Sequence, residues 1–428
     1  MRLGGRLQGA IEVLADIETR KRPVADALKD WGLAHRFAGS GDRAAIGNIV
    51  YDALRMRLSH AWLMNDDSPS ALGHAVMFRQ WGITPDSLAA ELLDDKFAPV
   101  ALTPEQAAAF SNRSLDDAPL HVQGDIPEWV QPSFEAGYGE TWLAEVKALA
   151  DRPTLDLRVN TLKAQRDKVL KALDRSHAQA AQIARNGIRI AAGEGASRVP
   201  NVTAELSFQK GWFEVQDEGS QIVADLADPQ ETDQVLDYCA GGGGKTLAMA
   251  AAMNNKGQVH AYDSDRKRLA PIIERLKRAG TRNVQVHDDR AQLTGLVGRC
   301  DRVLVDAPCT GTGTWRRRPD TKWRLTQKNL EERIAQQQDA LTQAADYVRP
   351  GGSLLYITCS VLPEENEAQI QRFCAENPAY EVVSALDTWS KLFSGAPKPR
   401  SADGKTVTLT PATTDTDGFF FGQMRRRP

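Results

Sequence analysis

The stretch Val303–Gly313, VLVDAPCTGTG, ends an apolar run in Asp306, Pro308 and Cys309. The stretch Leu354–Ser360, LLYITCS, ends another in Cys359. In a mainly parallel sheet with helices on both faces, ligands sit in the crevice beyond the carboxyl ends of the strands, which is where both thiols would project. A lone cysteine is usually a small buried hydrophobe. Two of them at two strand ends, with an acid beside one, predict a single functional site.

A second stretch with chemistry in it is CAGGGGKT, Cys239–Thr246, which follows the strand Val235–Asp237 and opens a helix. A phosphate-binding P-loop requires glycine where Cys239 stands, and a dinucleotide fingerprint requires glycine or alanine where Thr246 stands, so neither pattern is complete. What remains is a loop whose glycines let the backbone approach a ligand while helix amides point at its carboxylate or phosphate. Asp263, twenty residues after Gly243, ends the next strand and is placed to accept both hydroxyls of a ribose. Asp288 ends the third strand and is placed for an adenine edge. A nucleoside cofactor held without an obligatory phosphate grip fits S-adenosylmethionine better than NAD or ATP.

The third stretch is GTGTWRRRPDTKWRL, Gly311–Leu325. It sets Arg316, Arg317, Arg318, Lys322 and Arg324 against Asp320 alone, with Trp315 and Trp323 among them. Cations interleaved with aromatics suit a single strand whose bases stack while its phosphates are neutralised. Arg316, Arg317, Arg318, Lys322 and Trp323 are therefore candidate RNA contacts.

Positioning these groups requires a strand, helix, strand, helix order, and the chain has it from about residue 211. Strands are expected at Val235–Asp237, Val259–Tyr262, Val284–His287, Val303–Asp306 and Leu354–Thr358. Helices are expected at Lys245–Met253, Asp265–Ala279 and Gln327–Val348, with another from Pro363 whose first turn carries Glu364, Glu365 and Glu367. Such alternation implies right-handed crossovers and a parallel sheet, to which the GFFFGQM tail adds a final antiparallel strand.

Upstream, residues 1–125 read as helical, with Ile46, Ile49, Val50, Leu54 and Leu58 at three- and four-residue spacing and Arg43, Arg55 and Arg57 between them. The texture changes at IPEWVQPSFEAGYG, and Leu155, Leu157 and Val159 then alternate as a half-buried strand would. Residues 126–210 are expected to form a linker and a small α+β segment, with strands at Ile188–Ala191 and Trp212–Val215.

The totals narrow the classes. With 428 residues, 42% hydrophobic and 25% charged, the chain has room for about three domains. It carries no apolar run long enough to span a membrane. The charged amino-terminal stretch is unlike a signal peptide, so a cytoplasmic protein is expected. Five cysteines without CxxC or His/Cys spacing indicate neither disulfides nor a metal. A net charge of −3 argues against a general nucleic-acid coat, which needs many cations. Nothing requires more than a monomer.

Taken together, LDYCAGGGGKT, VHAYDSDRKRL, DRVLVDAPCTGTGTWRRRPDTKW and GGSLLYITCSVLPEENE, in that order over residues 211–428, resemble the Sun/Nop-type RNA cytosine-5 methyltransferases, and most closely the bacterial RsmB branch acting on small-subunit ribosomal RNA. LRVNTLK and WFEVQDEGSQIVADL are similar to the family's upstream segments, and DRAAIGNIVYDALR to the NusB-like RNA-binding domain of that branch.

The resemblance implies a Rossmann-like class I methyltransferase domain at 211–428, preceded by the α+β segment and an all-α NusB-like domain. It implies Cys359 as the nucleophile adding to cytosine carbon 6, Cys309 as the residue that removes the carbon-5 proton for release, Asp306 beside ring nitrogen 3, and Lys245 as an orienting group. Cys239, Ala240, Gly241, Gly242, Gly243, Gly244, Lys245, Asp263, Arg268, Asp288 and Asp306 would hold S-adenosylmethionine. Two positions differ: the family usually has alanine-proline at Gly241-Gly242, and a histidine near Thr413.

Two other functions compete with this one. An RNA-binding assembly factor of the same fold would bind RNA tightly without the cofactor. A nucleotide-dependent oxidoreductase would leave both cysteine motifs unexplained.

Overall fold

Successive residues of the apolar runs pack on opposite sides of one sheet. Val303 and Val305 join a core with Leu354 and Tyr356, while Leu304 joins another with Leu355 and Ile357. All seven are fully buried. At about 1.5–3 kcal/mol for each large apolar side chain, two-sided burial explains why these runs are apolar at every position instead of alternating.

The computed structural model describes residues 1–428, which pack as two units. One comprises Met1–Pro153, Ala192–Val199 and Trp315–Leu325; the other comprises Thr154–Ala191, Pro200–Thr314 and Thr326–Pro428.

The second unit holds twelve strands: β1 Leu155–Val159, β2 Gln179–Ala180, β3 Gly187–Ile190, β4 Phe213–Val215, β5 Gln234–Asp237, β6 Gln258–Tyr262, β7 Val284–His287, β8 Cys300–Asp306, β9 Val348–Thr358, β10 Tyr380–Val383, β11 Val407–Leu409 and β12 Phe419–Arg426. The larger sheet runs β10-β12-β9-β8-β5-β6-β7, with β11 on β12. Strands β5 to β9 are parallel to their neighbours, and β12 lies antiparallel on β9, as the tail predicts. The expected α/β, Rossmann-like domain is present.

Some elements differ from expectation. The helix expected at Asp265–Ala279 is two, Arg266–Leu269 and Ile272–Ala279, because Pro271 lacks an N–H and its ring obstructs the preceding turn. Pro363–Glu365 forms a single 3₁₀ turn before the helix Glu367–Glu376. Strands β10 and β11 had no counterpart in the sequence pattern.

The smaller sheet, β2-β3-β1-β4, is antiparallel and has two unlike faces. Leu157 and Val159 pack with Ile188 and Phe213. On the other face Asp156 is also buried, because its carboxylate accepts from Arg189 at 2.8 Å and from the Glu218 amide at 3.0 Å.

In the helical unit, helices Leu3–Arg20, Val24–Ala34, Ser40–Arg55, Arg57–Met64 and Pro69–Arg79 enclose Leu7, Ile46, Ile49, Val50, Met64 and Met77. The apolar stripe of Ser40–Arg55 faces inward as its spacing predicts, but Arg55 is buried with it and bonds Asp52 at 2.8 Å. Sequence texture changes near residue 125, whereas packing changes at 153: helices Gln131–Tyr138 and Trp142–Ala148 belong to this unit. No helix is long and apolar enough to cross a membrane.

Candidate active site

Because β5 to β9 point the same way, all their carboxyl ends lie along one edge. From β5 the chain steps outward through β6 and β7, then returns to the other side through β8 and β9, so the crevice forms where the order reverses, between β5 and β8. The candidate residues come from the loops at this edge: 239–246 after β5, Asp263 after β6, Asp288 after β7, 306–313 from β8 and Cys359 after β9.

The turn after β8 is folded back on β9 by its own polar atoms. The Ala307 amide donates to Ile357 at 2.9 Å and the Gly313 amide to Cys359 at 3.0 Å. Gly313 must be glycine, since a Cβ there would stand 2.3 Å from the Gly418 carbonyl oxygen. These bonds bring the Cys309 and Cys359 sulfurs to 3.3 Å. The hydrogen bond to Cys359, burial, and the charge Cys359 can carry push the Cys309 thiol well above its ordinary value.

Asp306, one third exposed, accepts from the Lys245 ammonium at 2.6 Å. Burial works against the lysine charge, but attraction and hydrogen bonding to Asp306 more than offset it and leave Lys245 raised and cationic. Its ammonium also lies 5.4 Å from the Phe419 ring centre.

Sequence reasoning missed Glu365. Grouped with Glu364 and Glu367 as a helix-start acid, it is instead fully buried behind Cys309. It accepts from the Thr310 amide at 2.8 Å, the Thr310 hydroxyl at 2.5 Å and Gln337 Nε2 at 2.9 Å, and the same Gln337 nitrogen donates to the Pro308 carbonyl at 3.0 Å. Burial raises the carboxyl's pKa despite these donors. Only the 3₁₀ turn, which rotates Glu365 inward, separates it from its neighbours; nothing in the acid run marks that.

The glycine loop is held from two sides. Asp263, buried, accepts the Gly241 amide at 2.8 Å on one oxygen and the Asp265 amide at 2.9 Å on the other. Arg275 donates to the Gly242 carbonyl at 2.5 Å. Gly241 and Gly243 have φ of +50° and +78°, and a Cβ on Gly243 would meet Ile272 at 2.4 Å. Alanine at 241 would be strained in this left-handed backbone, so the usual family pair does not suit this loop as it stands.

Asp237 lies beneath the loop, bonded to Thr246 Oγ1 at 2.6 Å, and burial pushes it up to about 7. Its other oxygen has no partner. Burial raises Cys239, and Asp263, Asp237 and Asp306 add to the effect. Three carboxylates around the loop, with Arg268 at 3.8 Å from Asp263 and Lys245 on Asp306, suit ribose hydroxyls and a sulfonium cation and repel a phosphate. Ala240 is half-buried within the loop. Asp288 is exposed, 3.1 Å from Gln292.

The basic-aromatic strip requires a correction. Residues 315–325 belong to the helical unit, where Trp315, Arg316 and Lys322 are buried. Lys322 Nζ donates to the Arg55 carbonyl at 2.9 Å, Trp323 Nε1 to the Leu54 carbonyl at 2.6 Å, and the Arg316 carbonyl accepts from Arg55 at 2.7 Å. Arg316 and Lys322 therefore do not form a solvated phosphate strip with Arg317 and Arg318: the aromatic neighbours that looked like stacking platforms carry them into a core. Arg318 is exposed.

Residues 224–425 match the family model of the RsmB/F 16S rRNA methyltransferases, and 126–194 match the ferredoxin-like domain of RsmF/B-like methyltransferases. The chain is 32% identical over 316 residues to the probable ribosomal RNA small subunit methyltransferase B of Synechocystis, covering 72% of this chain and 68% of that one. It is 33% identical over 324 residues to ribosomal RNA small subunit methyltransferase B of Cronobacter sakazakii, covering 74% and 71%. A methyltransferase homolog from Pyrococcus horikoshii superposes with a TM-score of 0.60 at 25% identity, over 73% of this chain and 100% of that one. The carboxylate-lined glycine loop and the paired thiols thus sit in a chain that belongs to the RsmB/F family of 16S ribosomal RNA methyltransferases, whose methyl donor is S-adenosylmethionine.

Proposed function

We propose that the protein methylates carbon 5 of a cytosine in small-subunit ribosomal RNA, working as a monomer in the cytoplasm. The single observation that carries this reading is the pair of sulfurs 3.3 Å apart beside the Asp306–Lys245 pair. The relatives' names supply the substrate class, small-subunit ribosomal RNA.

Cytosine carbon 5 is a weak nucleophile, and a thiolate added at carbon 6 makes the ring an enamine. Cys359 is the sulfur that adds, by its place in the TCS motif at the end of β9, with Cys309 3.3 Å away. Asp306 shares a proton with ring nitrogen 3 as negative charge develops there, and Lys245 orients the Asp306 side chain. S-adenosylmethionine, when bound, supplies an electrophilic methyl group. Cys239 through Gly244, Asp263, Arg268 and Asp288 would hold it, with Asp306 and Lys245 bordering both ligands.

Release needs a base for the carbon-5 proton. Cys309, 3.3 Å from the sulfur to be released, takes that proton and lets Cys359 leave. Arg317 and Arg318 remain the proposed RNA contacts of the basic segment.

Incubation with labelled S-adenosylmethionine and small-subunit RNA lacking its modifications, followed by nucleoside mass spectrometry, tests the reading. We expect 5-methylcytosine. A methylated product of any other kind rejects it, and tight RNA binding with no product favours the assembly-factor reading.

A further inference from the structure

We infer that Cys309 and Cys359 form a reversible disulfide when the protein meets a peroxide, which makes this pair an oxidative modification site. The chemistry of the thiols carries this inference; that the disulfide also stops methyl transfer rests on the function proposed above.

The sulfurs are already in contact at 3.3 Å, and both cysteines are only partly buried. A bond between them requires closing the remaining gap to the ordinary S–S length of about 2.05 Å. The side chains have room to move. Gly311, at φ +72°, places no side chain beside Cys359, and even an added Cβ there would stay 4.0 Å from its sulfur. By contrast, the backbone around the thiols is tied by the Gly313–Cys359 and Ala307–Ile357 bonds, so the two sulfurs stay within reach of each other. All five cysteines are free, and Cys309 and Cys359 are joined by a sulfur–sulfur hydrogen bond.

The thiolate is the form of a cysteine that a peroxide oxidises, here at Cys359. That thiolate attacks one peroxide oxygen: an S–O bond forms, the O–O bond breaks, and the leaving oxide takes up a proton as water or alcohol. The Cys309 sulfur then attacks the sulfenic sulfur. An S–S bond forms and the S–O bond breaks, and the departing hydroxide takes the Cys309 proton and leaves as water. Two thiols lose two electrons and the peroxide gains them. A thiol reductant reverses the step by exchange.

The arrangement has a protective consequence. A solitary reactive cysteine oxidises onward to the irreversible sulfinic acid. Here the resolving thiol is in contact before oxidation begins, so the first product is captured as a disulfide.

The test treats the reduced full-length chain with equimolar hydrogen peroxide, counts free thiols and maps peptides without reduction. We expect two of the five thiols to disappear, a cross-linked peptide joining Cys309 to Cys359, and full recovery of thiols with dithiothreitol. In Cys309→Ser we expect a sulfenic acid at Cys359, trapped by dimedone, that passes to sulfinic acid and is not recovered. Sulfinic acid at Cys359 in the unmodified chain with Cys309 still free overturns the inference, as does pairing of either residue with Cys239, Cys300 or Cys374. Because the readout is the sulfur itself, failure of the methylation assay leaves this result intact, and failure of disulfide formation leaves the methylation reading intact.

Discussion

Residues 306–314 and 315–325 are consecutive in the chain and both carry reactive or charged side chains, yet they belong to different units. The first segment leaves a β-strand in register with β9 and is tied back to it by backbone bonds, so its functional side chains stay at the rim of a crevice. The second packs Trp315 and part of Trp323 against the helical unit, and Arg316 and Lys322 are buried with them while Arg318 stays exposed. Reactive groups anchored to a strand end remain available, whereas cations attached to aromatic anchors become structural. Charge alone does not distinguish the two; the backbone partners do.

The largest expected effect falls on the first segment. Cys359→Ala should reduce methyl transfer to background, and Cys309→Ala should methylate once and remain covalently attached to RNA, read as a protein–RNA adduct on a denaturing gel. Normal turnover by the Cys309 variant would reverse the assigned roles.

Lys322→Ala tests the second segment. It removes a buried hydrogen bond and the side chain packed among Trp315 and Trp323, and should lower unfolding stability by about 2–3 kcal/mol in denaturant titration. It should leave the salt dependence of RNA binding unchanged. Arg318→Ala should do the converse, leaving stability alone and lowering the salt slope by about 0.7. An unchanged midpoint with a lowered slope in the Lys322 variant would return that residue to the RNA surface.

Glu365→Ala strips the carboxylate that braces Thr310 and, through Gln337, Pro308. It should cost about 2 kcal/mol. Stability measured together with kcat would show whether Glu365 holds the Cys309 loop, because loosening that loop lowers both.

A smaller signal lies in pH. Burial lowers Lys322 from 10.5 to about 8. Between those values the unfolded chain binds more protons than the folded one, so stability should rise with pH across that window. Urea midpoints of wild type and Lys322→Met compared on either side of pH 8 isolate the effect, since the variant lacks this rise.

The smallest expected change is at the glycine loop. Gly241→Ala forces a side chain into a left-handed backbone and should destabilise the chain by about 1 kcal/mol, with cofactor affinity measured by calorimetry falling in parallel. Unchanged stability would mean that the loop can adopt the backbone of the usual alanine-proline pair.

Much of the fold was readable because its cause is local. Apolar runs buried on both faces, glycines at positive φ and a tail with strand spacing each announce themselves within a few residues. Pro271 is equally local: it ends Arg266–Leu269 and sits before Ile272–Ala279. The order of motifs along the chain also determined which loops reach the crevice, since parallel strands put every loop that follows them at one edge.

Only the tertiary structure decided the rest. How far the Cys309 thiol is raised depends on a sulfur fifty residues away. Whether Glu365 is a helix-start acid or an internal brace depends on Thr310 and Gln337. Whether Lys322 is solvated depends on the Arg55 carbonyl, which no pattern near residue 322 encodes. The ionisation and burial of a side chain are set by the dielectric and partners around it, and those are supplied by segments that are neighbours only after folding.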